Sequence, residues 1–259
     1  MTFEQTVLLS ALAGATIFLG LPVGRLRNLS ARTQVMLTTA AAGVILFLIW
    51  DILSLAVEPV EAALESAQGG GGTSDFIINA FVLAASLAFG LLSIVWLTRH
   101  LRVPGGAPID PRKVALGTAI GLGLHNLSEG LAIGASSASG ATSLALLLVI
   151  GFALHNATEG FGIAAPLAGI ERPTWGFLAG MGLIAGGPTF IGGVIGYTFA
   201  SPLLSTAFLG VAAGALIFVF NEMMAVARRA SAPMWANAAL LVGLFVAFGT
   251  DFLLVIAGA

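Results

Sequence analysis

Long apolar runs broken by short polar stretches recur along the whole chain. A helix needs about 20 apolar residues to cross a hydrocarbon layer of about 30 Å. Eight runs of that size are present, at residues 4–22, 34–56, 76–98, 114–138, 143–169, 175–199, 204–227 and 234–257. They predict an all-α fold: a polytopic membrane protein with eight transmembrane helices, in a single transmembrane domain over residues 1–259. The first run follows directly on Met1-Thr-Phe-Glu4-Gln, without the basic segment of a secretory signal, and is expected to be retained as a helix.

The polar breaks between the runs differ in charge. All ten basic residues, Arg25, Arg27, Arg32, Arg99, Arg102, Arg112, Lys113, Arg172, Arg228 and Arg229, fall in alternate breaks and therefore on one side of the membrane. The positive-inside rule makes that side cytoplasmic and leaves both termini outside. Trp96, Trp175 and Trp235 fall at the inner ends of their spans and Tyr197 near an outer end, where amphipathic rings prefer to sit. Gly69 to Gly72 read as a flexible outer loop, and Pro104, Gly105, Gly106 and Pro108 mark a cytoplasmic connector. His100, alone beside that connector, is assigned no role. Pro166 is expected to kink the inner half of the fifth span, and Gly186-Gly187-Pro188-Thr189 to interrupt the sixth, either as a break whose carbonyls line a pathway or as a packing kink.

Composition agrees: 58% of residues are hydrophobic and only 8% charged. A net charge of −2 without a basic tract gives no support to nucleic-acid binding. With no cysteine, any metal must be held by nitrogen and oxygen.

Against this background two spans stand out, because the same polar string sits in the middle of each. The fourth carries Gly121-Leu-Gly-Leu-His125-Asn126-Leu-Ser-Glu129-Gly130, and the fifth Gly151-Phe-Ala-Leu-His155-Asn156-Ala-Thr-Glu159-Gly160. His and Glu four residues apart share one helical face, so each helix offers an imidazole nitrogen and a carboxylate to one point. Ionisable groups at the bilayer centre cost about 2.5–3.5 kcal/mol each on insertion scales, and a bound divalent cation would offset that cost. Consecutive spans run in opposite directions, which relates the two strings by an inverted repeat. Helix-gluing hydrogen bonds would also place polar groups in a bilayer, but they do not require one string twice at one depth.

Other acids sit nearer the ends of the spans. Asp51, Ser54, Glu58, Glu61 and Glu65 recur at helical spacing along the second span and its extension, either as a solvated helix end or as a stripe concentrating cations at a mouth. Asp51 and Asp251 are candidates for the outer approach to the paired strings. Glu222, after Asn221, is a candidate for the exit, or else a partner of Arg228 and Arg229.

The paired strings resemble those of the ZIP (Zrt-, Irt-like) family of divalent metal transporters, whose fourth and fifth helices carry His-[Ser/Asn]-x-x-Glu-Gly and a related His/Gln-x-x-x-Glu pattern. The resemblance extends to the eight spans and the outside termini, and is closest to prokaryotic members. It implies metal ligands at His125, Asn126, Glu129, His155, Asn156 and Glu159, and a dimer in which the region of the fourth and fifth helices moves against the rest. Asn221-Glu222 resembles an acidic pair of the family, without the proline that follows it there. Many prokaryotic members have a bridging glutamate before the proline of the sixth span; Gly187 stands there, which favours a single ion. The histidine-rich cytoplasmic loop of many eukaryotic members is absent.

The expected function is that of a secondary transporter in the plasma or bacterial inner membrane. It would carry a divalent ion toward the cytoplasm as substrate, zinc first, with iron, manganese or cadmium suiting the same ligands. No resident cofactor is expected. A passive metal channel is the alternative, and a metal-dependent intramembrane hydrolase a more distant one. No Gly-x-x-x-x-Gly-Lys-[Ser/Thr] string for ATP and no His-Glu-x-x-His string is present.

Overall fold

A computed structural model describes residues 1–99, 110–170, 172–199, 201–228 and 232–257. His100, Arg102 and Arg229 lie outside the described residues, as does the side chain of His155. Eight α-helices run in order: α1 (Phe3–Ala15), α2 (Ala31–Gln68), α3 (Ser74–Arg99), α4 (Pro111–Ala138), α5 (Thr142–Ala164), α6 (Trp175–Thr198), α7 (Pro202–Arg228) and α8 (Pro233–Ala257). Each overlaps one predicted run, although α1 gives way to 3-10 turns after Ala15 and α2 runs on to Gln68. Three of the helices that begin at the arginine-bearing end, α2, α4 and α6, start on polar caps, Ser30 accepting from the Thr33 amide, Asp110 from Arg112 and Thr174 from Phe177.

Two proline expectations are corrected. The fifth span does not kink at Pro166: α5 stops at Ala164 and passes into a 3-10 turn, Ala165–Leu167. The sixth does not break at Pro188, because α6 runs unbroken from Trp175 to Thr198. Proline removes one amide donor, that to the Ile184 carbonyl, and α4 packs against α6 at this point with Gly123 facing that carbonyl.

Among the described residues, six helical stretches, those of α1, α2, α3, α5, α6 and α7, are long and apolar enough to cross a membrane by length and composition, and α8 is apolar over Pro233–Gly249. α4 is the more polar exception, and its position explains why. It is enclosed by α5, α6 and α7, so its polar residues face protein. α2 has 38 residues, about 57 Å of helix at about 1.5 Å per residue, and must project beyond the bilayer. The projection carries Glu58, Glu61 and Glu65, all exposed.

α1, α5 and α6 pack together around α4, and α2, α3, α7 and α8 form a second set. The sets meet mainly where α4 crosses α7 and where α5 touches α2 and α8. Between mid-membrane and the arginine end the interior is mainly apolar, filled by Ile45, Leu48, Leu122, Ile163, Leu167, Leu216 and Val219, none of them more than 1% exposed.

Candidate metal centre

Both polar strings are helical throughout, so the four-residue spacing puts His125 and Glu129 one turn apart on α4, with Nε2 and Oε1 at 3.3 Å. From α5, Glu159 brings its Oε1 to 3.7 Å from the same Nε2. His125, Glu129 and Glu159 are buried, at 2%, 4% and 0% exposure, and each offers a ligand atom within 4.8 Å of the others. A tetrahedral ion with bonds of about 2.0–2.1 Å requires ligand atoms about 3.4 Å apart. The two edges at His125 therefore have the length that a small divalent cation needs.

The asparagines orient this group. Asn126 Nδ2 donates to Glu159 Oε2 at 2.8 Å and to the Ala185 carbonyl of α6 at 3.1 Å. Two acceptors on one atom identify it as the nitrogen, and the opposite Oδ1 is buried without a hydrogen-bond partner. Asn156 Nδ2 donates to the Ala13 carbonyl of α1 at 3.0 Å, its Oδ1 is likewise unsatisfied, and its side chain stands beside Glu129. Each asparagine thus reaches from its own helix toward the glutamate of the other. Buried acceptors without donors are costly and uncommon, and both strings contribute one through their asparagines.

A cavity of about 300 Å³ leads to His125 and Glu129 from one direction. Its walls include Asp51, Leu55, Glu58 and Pro59 of α2, Ser128 of α4, Phe152 of α5, and Ser205, Thr206 and Leu209 of α7. These residues lie toward the helix ends opposite the arginines, so the cavity opens on that face. Glu159, deeper along α5, is not in its lining.

The remaining sequence candidates divide on this geometry. Asp51 and Glu58 line the cavity; Glu61 and Glu65 do not, nor does Asp251, which lies close enough to Asp51 for their charges to interact. Glu222 is partly buried on α7, toward its arginine end and away from the cavity. Sequence reasoning missed Ser128, Ser205 and Thr206, whose hydroxyls line the approach, and Pro59, which leaves the Leu55 carbonyl without its helical donor at the same wall. The signal for Pro59 was available, a proline inside an acidic helical stripe. Isolated serines and threonines in apolar helices carry no such mark.

No curated protein matches the chain. A family model described as ZIP zinc transporter matches residues 107–257, more than half of the sequence. Because that match takes in α4 and α5 with both polar strings, together with the α6 and α7 that enclose them, the chain belongs to the ZIP zinc transporter family.

Proposed function

We propose that this protein is a secondary transporter of the plasma or bacterial inner membrane that carries zinc toward the cytoplasm. Transport of divalent metal ions is the family's activity. The observation that carries the reading is the convergence of His125, Glu129 and Glu159 at the closed end of a one-sided cavity. Metal arriving past Glu58 and Asp51 exchanges water for these three ligands, with Asn126, Asn156 and His155 completing the set. Only one ion is held, because position 187, where a bridging carboxylate would stand, is glycine.

One-sided access favours a carrier over a passive channel. Beyond the ligands, on the arginine side, the described interior is packed mainly with aliphatic side chains, and the Thr39 and Thr118 hydroxyls buried among them are turned to carbonyls of their own helices. Release toward Glu222 then requires the set containing α4 and α5 to move against α2 and α7. A dimer is part of the proposal, on family grounds.

The experiment is zinc flux into vesicles containing the purified chain, with Glu129→Ala and Glu159→Ala compared. Each variant should lose flux while still inserting correctly. Flux at the parent rate in either would sink the site assignment. Titration of the parent should saturate at one zinc per chain; saturation at two would refute the single-ion reading.

A further inference from the structure

We infer that the loops joining α1 to α2 and α5 to α6 form a binding site for the phosphate group of an anionic phospholipid. A cavity of about 220 Å³ lies between them, lined by Leu26, Arg27, Asn28, Gly169, Ile170 and Arg172. It is separate from the metal centre, at the arginine-bearing end of the helices and opposite the mouth of the metal-centre cavity, and the inference is independent of the proposed zinc transport.

The cavity is amphipathic in the manner a lipid headgroup region requires. Arg27 and Arg172, contributed by different loops, supply two guanidiniums, and with Arg25 they outnumber the one acid of these loops, Glu171, which lies outside the described residues. Arg25 lies near enough to feel both charges, which concentrates positive potential here. Leu26 and Ile170, 46% and 57% exposed, give the same cavity an apolar wall. Guanidinium is the side chain best suited to phosphate oxygens, through paired N–H donors.

The depth is also that of headgroups. Trp175, 60% exposed, carries the Arg25 guanidinium 4.4 Å from its ring centre, and Trp235 carries Arg32 at 4.0 Å. Exposed tryptophans mark the membrane–water interface, and basic clefts between membrane helices at that level take anionic headgroups. Both loops are pinned, so the cavity is built in advance. Arg25 donates to the Pro173 carbonyl at 2.6 Å, the Gly169 amide donates to the Leu26 carbonyl at 3.1 Å, and Gln34 donates to the Gly169 carbonyl at 3.2 Å. The left-handed conformations of Asn28 (φ 54°) and Gly169 (φ 75°) turn the two loops at its edge.

The test uses the full chain in lipid nanodiscs, with retained lipids counted by native mass spectrometry. The parent should retain phosphatidylglycerol in preference to phosphatidylcholine. Arg27→Gln and Arg172→Gln should each lower that retention about fivefold. Arg172→Lys should keep a larger share than Arg172→Gln, and Arg228→Gln, on the same face but outside the cavity, should change nothing. Parent-level retention in the double glutamine variant would overturn the inference, as would an equal loss in Arg228→Gln, which would mean diffuse attraction to the whole basic face. Displacement of the lipid by millimolar inorganic phosphate would overturn it in favour of a free anion.

Discussion

α4 presents glycines on two faces, and the two faces do different things. Toward α6, a Cβ at Gly123, Gly130 or Gly134 would collide with the backbone of Ile184, Thr189 or Gly193. Toward α7, Gly117 and Gly121 meet only side chains, Val219 Cγ2 at 3.7 Å from a Cβ at the first, and Leu216 Cδ2 at 3.1 Å and Ala215 Cβ at 3.3 Å from a Cβ at the second. The first contact interlocks two backbones and cannot slide without being lost. The second is coated by aliphatic groups that can repack. The division holds elsewhere. Gly14 locks onto Gly186 and Gly160 onto Ile17 within one set of helices, and Gly90 onto Val211 and Gly43 onto Leu240 within the other. Across the sets, Gly162 faces only the Ile45 side chain, at 3.8 Å. The ligand-bearing helices are therefore fixed to α1 and α6 and rest more loosely against the wall formed by α2 and α7.

The strongest challenge to this contrast is a tether across the looser face. The chain has no cysteine of its own, so Gly117→Cys with Val219→Cys gives a single defined pair. Oxidation should stop zinc flux in vesicles and reductant should restore it; full flux in the cross-linked protein would show that α4 and α7 need not part. Next in size is stability. Gly130→Ala should cost about 1–3 kcal/mol, because backbone must shift. Gly117→Ala should be close to neutral in thermal melting, since a Cβ there meets only Val219 Cγ2 at 3.7 Å and helix propensity favours alanine. Equal losses would erase the distinction between the faces.

Acidification should weaken zinc binding, because imidazole and carboxylate must shed protons to bind metal. Protonation favours the metal-free form as pH falls, and affinity measured by titration calorimetry should drop roughly tenfold per pH unit while one proton is displaced. Glu129→Gln should flatten that dependence if the ligands of α4 and α5, and not the acids of α2, carry it. The smallest effect concerns the wall. Glu58→Gln should raise the zinc concentration for half-maximal flux by about twofold to threefold through lost attraction at the mouth, with Glu61→Gln and Glu65→Gln indistinguishable from the parent. Equal effects from all three would replace a lined cavity with a diffuse acidic surface.

Much of the fold was legible because its determinants are local. Apolar length sets a membrane helix, and Ser30, Asp110 and Thr174 mark helix starts within a few residues of the runs they open. The prolines misled for a related reason. Local rules say that Pro188 removes a donor, but whether α6 breaks depends on α1 and α4 packed along it. At the centre, spacing alone placed His125 and Glu129 on one face of α4, yet nothing in it placed Glu159 3.7 Å from His125 or aimed Asn126 at Glu159.

The sequence by itself determined the number and order of the helices, the repeated polar string and the gathering of basic residues at one end, since each follows from neighbours along the chain. Only the tertiary structure decided which ligands converge, which glycine faces interlock and on which side the metal centre is open. Those outcomes depend on contacts between segments far apart in sequence, where helix approach distance and side-chain packing, and not periodicity, set the geometry.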